Sequence, residues 1–175
     1  MTAPAAEQGH HEPDRAEETS HGWPFLRGIR ASFAFFTRLP AGGFPYTSGE
    51  LAWAPAHAPL VGALVGAVLG ALHFVLLPLG ALASATLVLG VSMLFTGALH
   101  EDGLGDTSDA LGGGHDPAKV FAILKDSRIG AFGAAAIAVS VLARAALLAE
   151  LGGATLWAFP LAWSAARVGP VWLMA

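Results

Sequence analysis

Four apolar tracts limit what this chain can fold into: residues 57–77, 79–99, 129–151 and 155–174. Each is near the ~20 residues that a helix rising about 1.5 Å per residue needs to cross about 30 Å of hydrocarbon. We read four spans. The composition agrees, at 54% hydrophobic and 13% charged residues with a mean hydropathy of +0.58, against about 45–50% and about 25% in an ordinary soluble chain. Pro78 with Gly80, and Gly152 with Gly153, leave only short connections within each pair of tracts. The expected fold is therefore all-α: a polytopic helical integral membrane protein with at least four transmembrane helices in two hairpins.

That arrangement puts the two long polar segments on one side of the bilayer, and the positive charges say which. Lys and Arg near spans are retained in the cytoplasm. Arg15, Arg27, Arg30, Arg38, Lys119, Lys125 and Arg128 all fall in the two polar segments, and none falls in the short outer turns. The segment from His100 to Arg128 is expected on the cytoplasmic face of the cell membrane. Residues 1–22, rich in Glu, Asp, Pro and His, read as a disordered cytoplasmic tail rather than a cleaved signal peptide. Residues 23–175 form the membrane-embedded domain. It opens with an amphipathic, interfacial helix over 23–39 and a Pro- and Gly-containing loop over 40–47.

The chain has no cysteine, so any metal must use oxygen or imidazole ligands and no thiol can act as nucleophile. A formal charge of -4 with no dense basic patch gives nucleic-acid binding little footing. Gly62, Gly66 and Gly70, four residues apart, are a packing signal that lets two helices approach closely. His57 and His73 lack a carboxylate partner at helical spacing and read as structural histidines. Arg144 and Arg167 sit within spans, where an arginine either faces the bundle interior or water, or snorkels to an interface.

The polar chemistry concentrates in His100-Glu-Asp-Gly-Leu-Gly-Asp-Thr-Ser-Asp109. Asp102, Asp106 and Asp109 have the i, i+4, i+7 spacing that places them on one helical face. Two such charges 4 Å apart repel by about 4 kcal/mol at an effective dielectric of 20, so a cation or a proton is expected among them. Oxygen-only ligands suit Mg²⁺, which commonly shares its remaining positions with water and substrate phosphates. The plainer alternative is a solvated acidic helix end, against which Gly103, Gly105 and Gly112 to Gly114 count as poor helix formers. A second cluster, Lys125-Asp-Ser-Arg128, offers a point charge and a bidentate fork for phosphate oxygens, or a positive-inside anchor.

These two motifs, the second continuing into Ile129-Gly130, resemble the signatures of the adenosylcobinamide-GDP ribazoletransferase, or cobalamin synthase, family. Phe36-Thr-Arg-Leu-Pro40 and Pro59-Leu-Val-Gly62 with Gly66 resemble two further elements of that family. The resemblance implies a membrane enzyme with adenosylcobinamide-GDP and α-ribazole, or its 5′-phosphate, as substrates. The 3′-hydroxyl of α-ribazole attacks the phosphoryl group next to the cobinamide aminopropanol and expels GMP, giving adenosylcobalamin or its 5′-phosphate. It further implies Mg²⁺ held by Asp102, Asp106 and Asp109, phosphate oxygens gripped by Lys125 and Arg128, and Asp126 orienting the nucleophile or completing the metal shell. Gly105 and Ala110 depart from the family's usual Ala and Gly. Family members continue well past residue 175, so a C-terminal truncation is expected, and an oligomer is compatible with everything above.

Two rivals remain. A membrane phosphotransferase acting on CDP-alcohols also gathers Asp residues, but its Asp-Gly-x-x-Ala-Arg opening is absent, since Gly103 is followed by Leu-Gly-Asp. A divalent-cation transporter would place carboxylates within spans at a cost of about 2.5–3.5 kcal/mol each; these lie just beyond one.

Overall fold

The computed structural model describes residues 23–42, 45–113 and 116–174; the expected tail over 1–22 lies outside them. Among these residues there are eight α-helices and no strand. They are α1 (Pro24–Phe36), α2 (Ser48–Leu76), α3 (Ala81–Thr96), α4 (Leu99–Gly113), α5 (Pro117–Leu124), α6 (Ala131–Leu151), α7 (Thr155–Ala165) and α8 (Val168–Met174).

Local chemistry sets where the first two begin and end. Pro24 suits the first turn of α1, where no backbone donor is needed. The helix stops at Phe36 rather than at residue 39, because Thr37 turns extended and its hydroxyl donates to the Phe33 carbonyl at 2.7 Å. α2 starts well before its apolar tract, at Ser48, where Thr47 and Glu50 form a capping box. Thr47 N–H donates to Glu50 Oε2 at 2.8 Å, and Glu50 N–H donates to Thr47 Oγ1 at 3.3 Å. Arg27 Nε meets Glu50 Oε1 at 2.6 Å, which ties α1 to that cap and seats its buried face, Ala31, Ser32 and Phe36, on α2.

The core runs along α2: Ala58, Val61, Val65 and Leu69 bury against Val88 of α3 and Phe159 of α7. Gly62, Gly66 and Gly70 face Trp163, Phe159 and Thr155, in that order, so α7 lies antiparallel on α2 along a glycine seam. A Cβ at Gly66 would sit 2.6 Å from the Phe159 carbonyl oxygen. His73 closes the far end: its Nδ1 pairs with Thr155 Oγ1 at 2.9 Å and its Nε2 with Ser84 Oγ at 3.3 Å. One buried imidazole thus joins α2, α3 and α7 in the structural role expected of it. His57 likewise bonds within its own helix, its Nδ1 lying 3.0 Å from the Trp53 carbonyl.

All four apolar tracts are helical, and the protein is a helical membrane protein. By length and composition two stretches can cross a membrane, Ser48–Leu79 and Ala131–Ala165, and α3 with α4 passes the same test jointly but is bent by 89°. The second stretch folds back on itself at Gly152–Ala154, since Leu147 and Leu151 of α6 and Ala158 and Ala162 of α7 line one cavity. The last tract is broken ahead of Val168, where α8 begins. The 89° corner follows from two successive left-handed residues, Gly97 (φ 67°) and Ala98 (φ 56°). Glycine adopts this conformation freely and alanine at a cost of roughly 1–2 kcal/mol. The Arg38 side chain packs against Gly97, and Arg38 N–H donates to the Phe95 carbonyl at 2.7 Å. The loop after α1 and the corner before α4 therefore meet at one end of the bundle.

The seam makes a sharp prediction. Gly66→Ala drives a methyl group into the α7 backbone and should destabilise the protein by about 1–3 kcal/mol. Gly90→Ala, with no other atom within 4 Å of its added carbon, should be neutral or stabilising by up to ~1 kcal/mol. Thermal unfolding in detergent measures both, and equal shifts would refute the close approach.

Candidate active site

The acidic run is a helix, α4, that turns away from α3 and lies against α6, with Gly105 facing Ile137 and Glu101 reaching Arg144. α5, which the apolar pattern did not announce, fills the space beside them. Asp116 caps it, accepting from Ala118 N–H at 3.1 Å, and Pro117 follows at its first turn. Its Ile123 meets Gly113, while Phe132 of α6 meets Gly112. The glycines near the end of α4 thus make room for neighbouring side chains, a packing use that their poor helix propensity conceals.

Asp109 joins the two motifs. Gly130 N–H donates to its Oδ2 at 2.6 Å and Gly133 N–H donates to its Oδ1 at 2.8 Å. Gly130 is the N-cap of α6 and has no side chain with which to cap it, so a carboxylate from α4 does so, adding negative charge where the helix dipole is positive. A Cβ at Gly130 or Gly133 would collide with that carboxylate. Sequence spacing marked Asp109 as an acidic residue, but not that its two oxygens are engaged by backbone 21 and 24 residues further on.

Asp102 is exposed and Asp106 half-buried, one turn apart on the same helix. Among the described residues, no three His, Asp or Glu side chains form a group that could hold a metal ion. Each Asp109 oxygen already accepts one backbone N–H, and Asp102 and Asp106 are the other two aspartates of the acidic run that could hold a hard cation. That fits Mg²⁺, which takes one or two protein carboxylates and completes its shell with water and phosphates.

The second motif folds on itself. Arg128 Nη2 donates to Asp126 Oδ2 at 2.7 Å and its Nε to Oδ1 at 3.0 Å, while Arg128 N–H donates to Oδ1 at 3.1 Å. The side-chain and backbone bonds from Arg128 hold the Asp126 carboxyl down at about 2. Asp126 therefore stays ionised at neutral pH and is a weak proton acceptor. The Arg128 side chain is 86% exposed, which lets its fork exchange onto another anion. Lys125 is exposed alongside.

Glu101 is the residue that spacing arguments passed over. It is buried, and Arg144 Nη1 donates to its Oε1 at 2.9 Å, so Arg144 faces the bundle as a partner to α4. The sequence signal was an arginine inside a span facing a carboxylate beside one, separated by 43 residues and hence not pairable by periodicity.

The cap gives a test that separates the three Asp residues. Asp109→Asn replaces one accepting oxygen with a donor and removes the charge at the start of α6, so it should cost about 1–2 kcal/mol of stability. Asp102→Asn, on an exposed face, should leave stability within about 0.5 kcal/mol of the parent. Thermal unfolding of the two variants checks this, and equal stability would show that the cap contributes nothing.

Comparison with known proteins places these features. The family described as cobalamin-5-phosphate synthase, CobS, matches residues 28–175. An adenosylcobinamide-GDP ribazoletransferase of Albidiferax ferrireducens is 40% identical over 139 residues, covering 73% of this chain and 50% of that relative. One of Rhizobium meliloti is 42% identical over 125 residues, covering 69% and 48%, and one of Pseudoalteromonas atlantica is 37% identical over 125 residues, covering 70% and 46%. The chain spans about half the length of the curated relatives it matches. No solved structure matches it. The family match takes in both motifs, the glycine seam and the four apolar tracts, and on that footing the chain belongs to the cobalamin-5-phosphate synthase family.

Proposed function

We propose that this chain carries the phosphoryl-transfer site of an adenosylcobinamide-GDP ribazoletransferase that works with Mg²⁺ on the cytoplasmic face of the membrane. The reading rests on family membership and the relatives' name, and one observation carries it to the residues. The Asp109 carboxylate holds Gly130 and Gly133, which brings the acidic face of α4 and the Lys125 to Arg128 segment to the same end of the bundle.

In the proposed reaction the 3′-hydroxyl oxygen of α-ribazole, or of its 5′-phosphate, bonds to the phosphorus next to the cobinamide aminopropanol. The anhydride bond to the GMP phosphate breaks, and the hydroxyl proton is lost to solvent. Such a transfer depends mainly on positioning and charge neutralisation. Asp102 and Asp106 would hold Mg²⁺, which supplies positive charge to the phosphoryl oxygens when bound. Arg128 moves its fork from Asp126 to a phosphate, with Lys125 adding a point charge. Asp126, ionised and freed from Arg128, accepts a hydrogen bond from the attacking hydroxyl and orients it. Asp109 acts by position, holding the start of α6 against α4, in place of the third-ligand role that the family resemblance implies.

Two measurements test this. GMP release from adenosylcobinamide-GDP and α-ribazole, followed against Mg²⁺ concentration, should fall about a hundredfold in Asp102→Asn and Asp106→Asn, with part of the loss recovered at high Mg²⁺. Curves superimposable on the parent's would eliminate the metal assignment. For the membrane side, cysteines placed at Ser108 and Gly152 should react with an impermeant thiol reagent from the cytoplasmic and the outer side, respectively. Labelling of the Ser108 site from outside alone would reverse the proposed orientation.

A further inference from the structure

Of the arginines in and just after α1, Arg27 is paired with Glu50, and Arg30 donates its Nε–H to the Ala41 carbonyl at 3.4 Å. Arg38 differs from both. Its side chain is exposed, and no carboxylate among the described residues pairs with it. Its place is nevertheless fixed twice: the backbone N–H donates to the Phe95 carbonyl at 2.7 Å, and Cγ, Cδ and Nε lie 3.3, 3.2 and 2.9 Å from where a Cβ at Gly97 would sit. The stem lies along the corner. A cation there is favoured by the C-terminal dipole of α3, which accounts for the charge but not for what surrounds it. Ala98 follows Gly97, and its carbonyl accepts from Asp102 N–H at 2.9 Å, so Arg38 stands at the foot of the turn that carries Asp102. Two turns on from Asp102, about 10 Å along the axis, Asp109 holds the Gly130 into which Lys125 to Arg128 lead. Cationic segments therefore meet the acidic helix at both ends.

The loop after α1 adds an open pocket of about 610 Å³ beside Arg38, within the range of small-molecule sites. Ala34, Leu39, Pro40 and Tyr46 give it apolar and aromatic walls, and Arg38 gives it a charge. Tyr46 Oη donates to the Gly42 carbonyl at 2.9 Å, which closes the loop around it. A ring on which a base can stack, with a guanidinium for an oxyanion, suits a nucleoside joined to a phosphate. The direction of the transfer says which one. In an in-line displacement the leaving oxygen departs opposite the attacking one. Asp126, which orients the attacking hydroxyl in the reaction above, belongs to the segment that meets the far end of α4, so the leaving group departs toward the near end. We propose that Arg38 and this pocket hold the GMP half of adenosylcobinamide-GDP, with the guanidinium on the GMP phosphate and the nucleoside in the loop. When the anhydride bond breaks, its electron pair stays on the GMP phosphate oxygen, and Arg38 meets the negative charge that collects there. This rests on the transferase reading and adds to it a seat for the leaving group.

GMP titrated calorimetrically into the protein in neutral maltoside detergent with Mg²⁺ should bind saturably at one site. Arg38→Gln should weaken it about tenfold or more while leaving α-ribazole binding at the parent's level, and Arg38→Lys, which keeps the charge at the end of α3, should weaken it by less. Ala34→Trp, filling the pocket from its α1 wall with Arg38 in place, should weaken GMP and spare α-ribazole as well. That variant decides the matter if Arg38→Gln unfolds. Loss of GMP and α-ribazole binding together in Arg38→Gln would make Arg38 a clamp on the corner alone and overturn the proposal. Absence of saturable GMP binding by the parent, or equal binding by the parent and Ala34→Trp, would overturn it too. GMP release from adenosylcobinamide-GDP by the parent, measured alongside, keeps the two readings apart. Release that persists while the GMP site fails removes this proposal only, whereas no release together with no GMP binding removes the transferase reading with it.

Discussion

Both oxygens of the Asp109 carboxylate are taken by backbone N–H groups at the start of α6, and the arrangement of the polar end depends on that contact. α6 begins with a glycine that cannot cap it, so its first donors need an acceptor from elsewhere. Supplying that acceptor from α4 fixes how the acidic helix and the cationic segment sit with respect to each other. The Glu101–Arg144 pair makes a second attachment between the same two helices further along. Together they fix α4 against α6, and Lys125 and Arg128 lie in the segment that leads into α6.

That unit hangs on a bundle built by a different kind of contact. Small residues at Gly62, Gly66 and Gly70 bring α7 onto α2 at backbone distance. In a membrane, where apolar side chains gain little from leaving lipid, close packing and polar contacts drive such association. The His73 imidazole, shared by Thr155 and Ser84, supplies the polar contact at the far end of the seam. The left-handed pair Gly97 and Ala98 then redirects the chain by 89°, so α4 leaves the line of α3 and comes to lie against α6.

The two intramembrane arginines separate into different roles on the same physical ground. Arg144 meets a carboxylate and is nearly neutralised. Arg167 meets aromatic faces and one carbonyl, which satisfy its plane and one nitrogen but leave an edge unpaired. Charge on the first holds helices together; charge on the second is enclosed between two rings in the packed interior.

The residues alone determined that the chain is helical and membrane-embedded, because apolar tracts of spanning length admit few other outcomes. They also determined that the polar chemistry lies in two motifs with small residues close by, since spacing along a helix is a local property. What the tertiary structure decided was every pairing across long separation: α7 as the partner of the glycine seam, Glu101 as the partner of Arg144, and the start of α6 as a contact of Asp109. Periodicity reports which face a residue occupies and carries no information about which helix, 20 to 100 residues away, will meet it. The corner at Gly97 and Ala98 was hidden for a related reason: an apolar tract reads the same whether the helix runs straight or turns, and the turn is set by two backbone dihedrals that composition does not express.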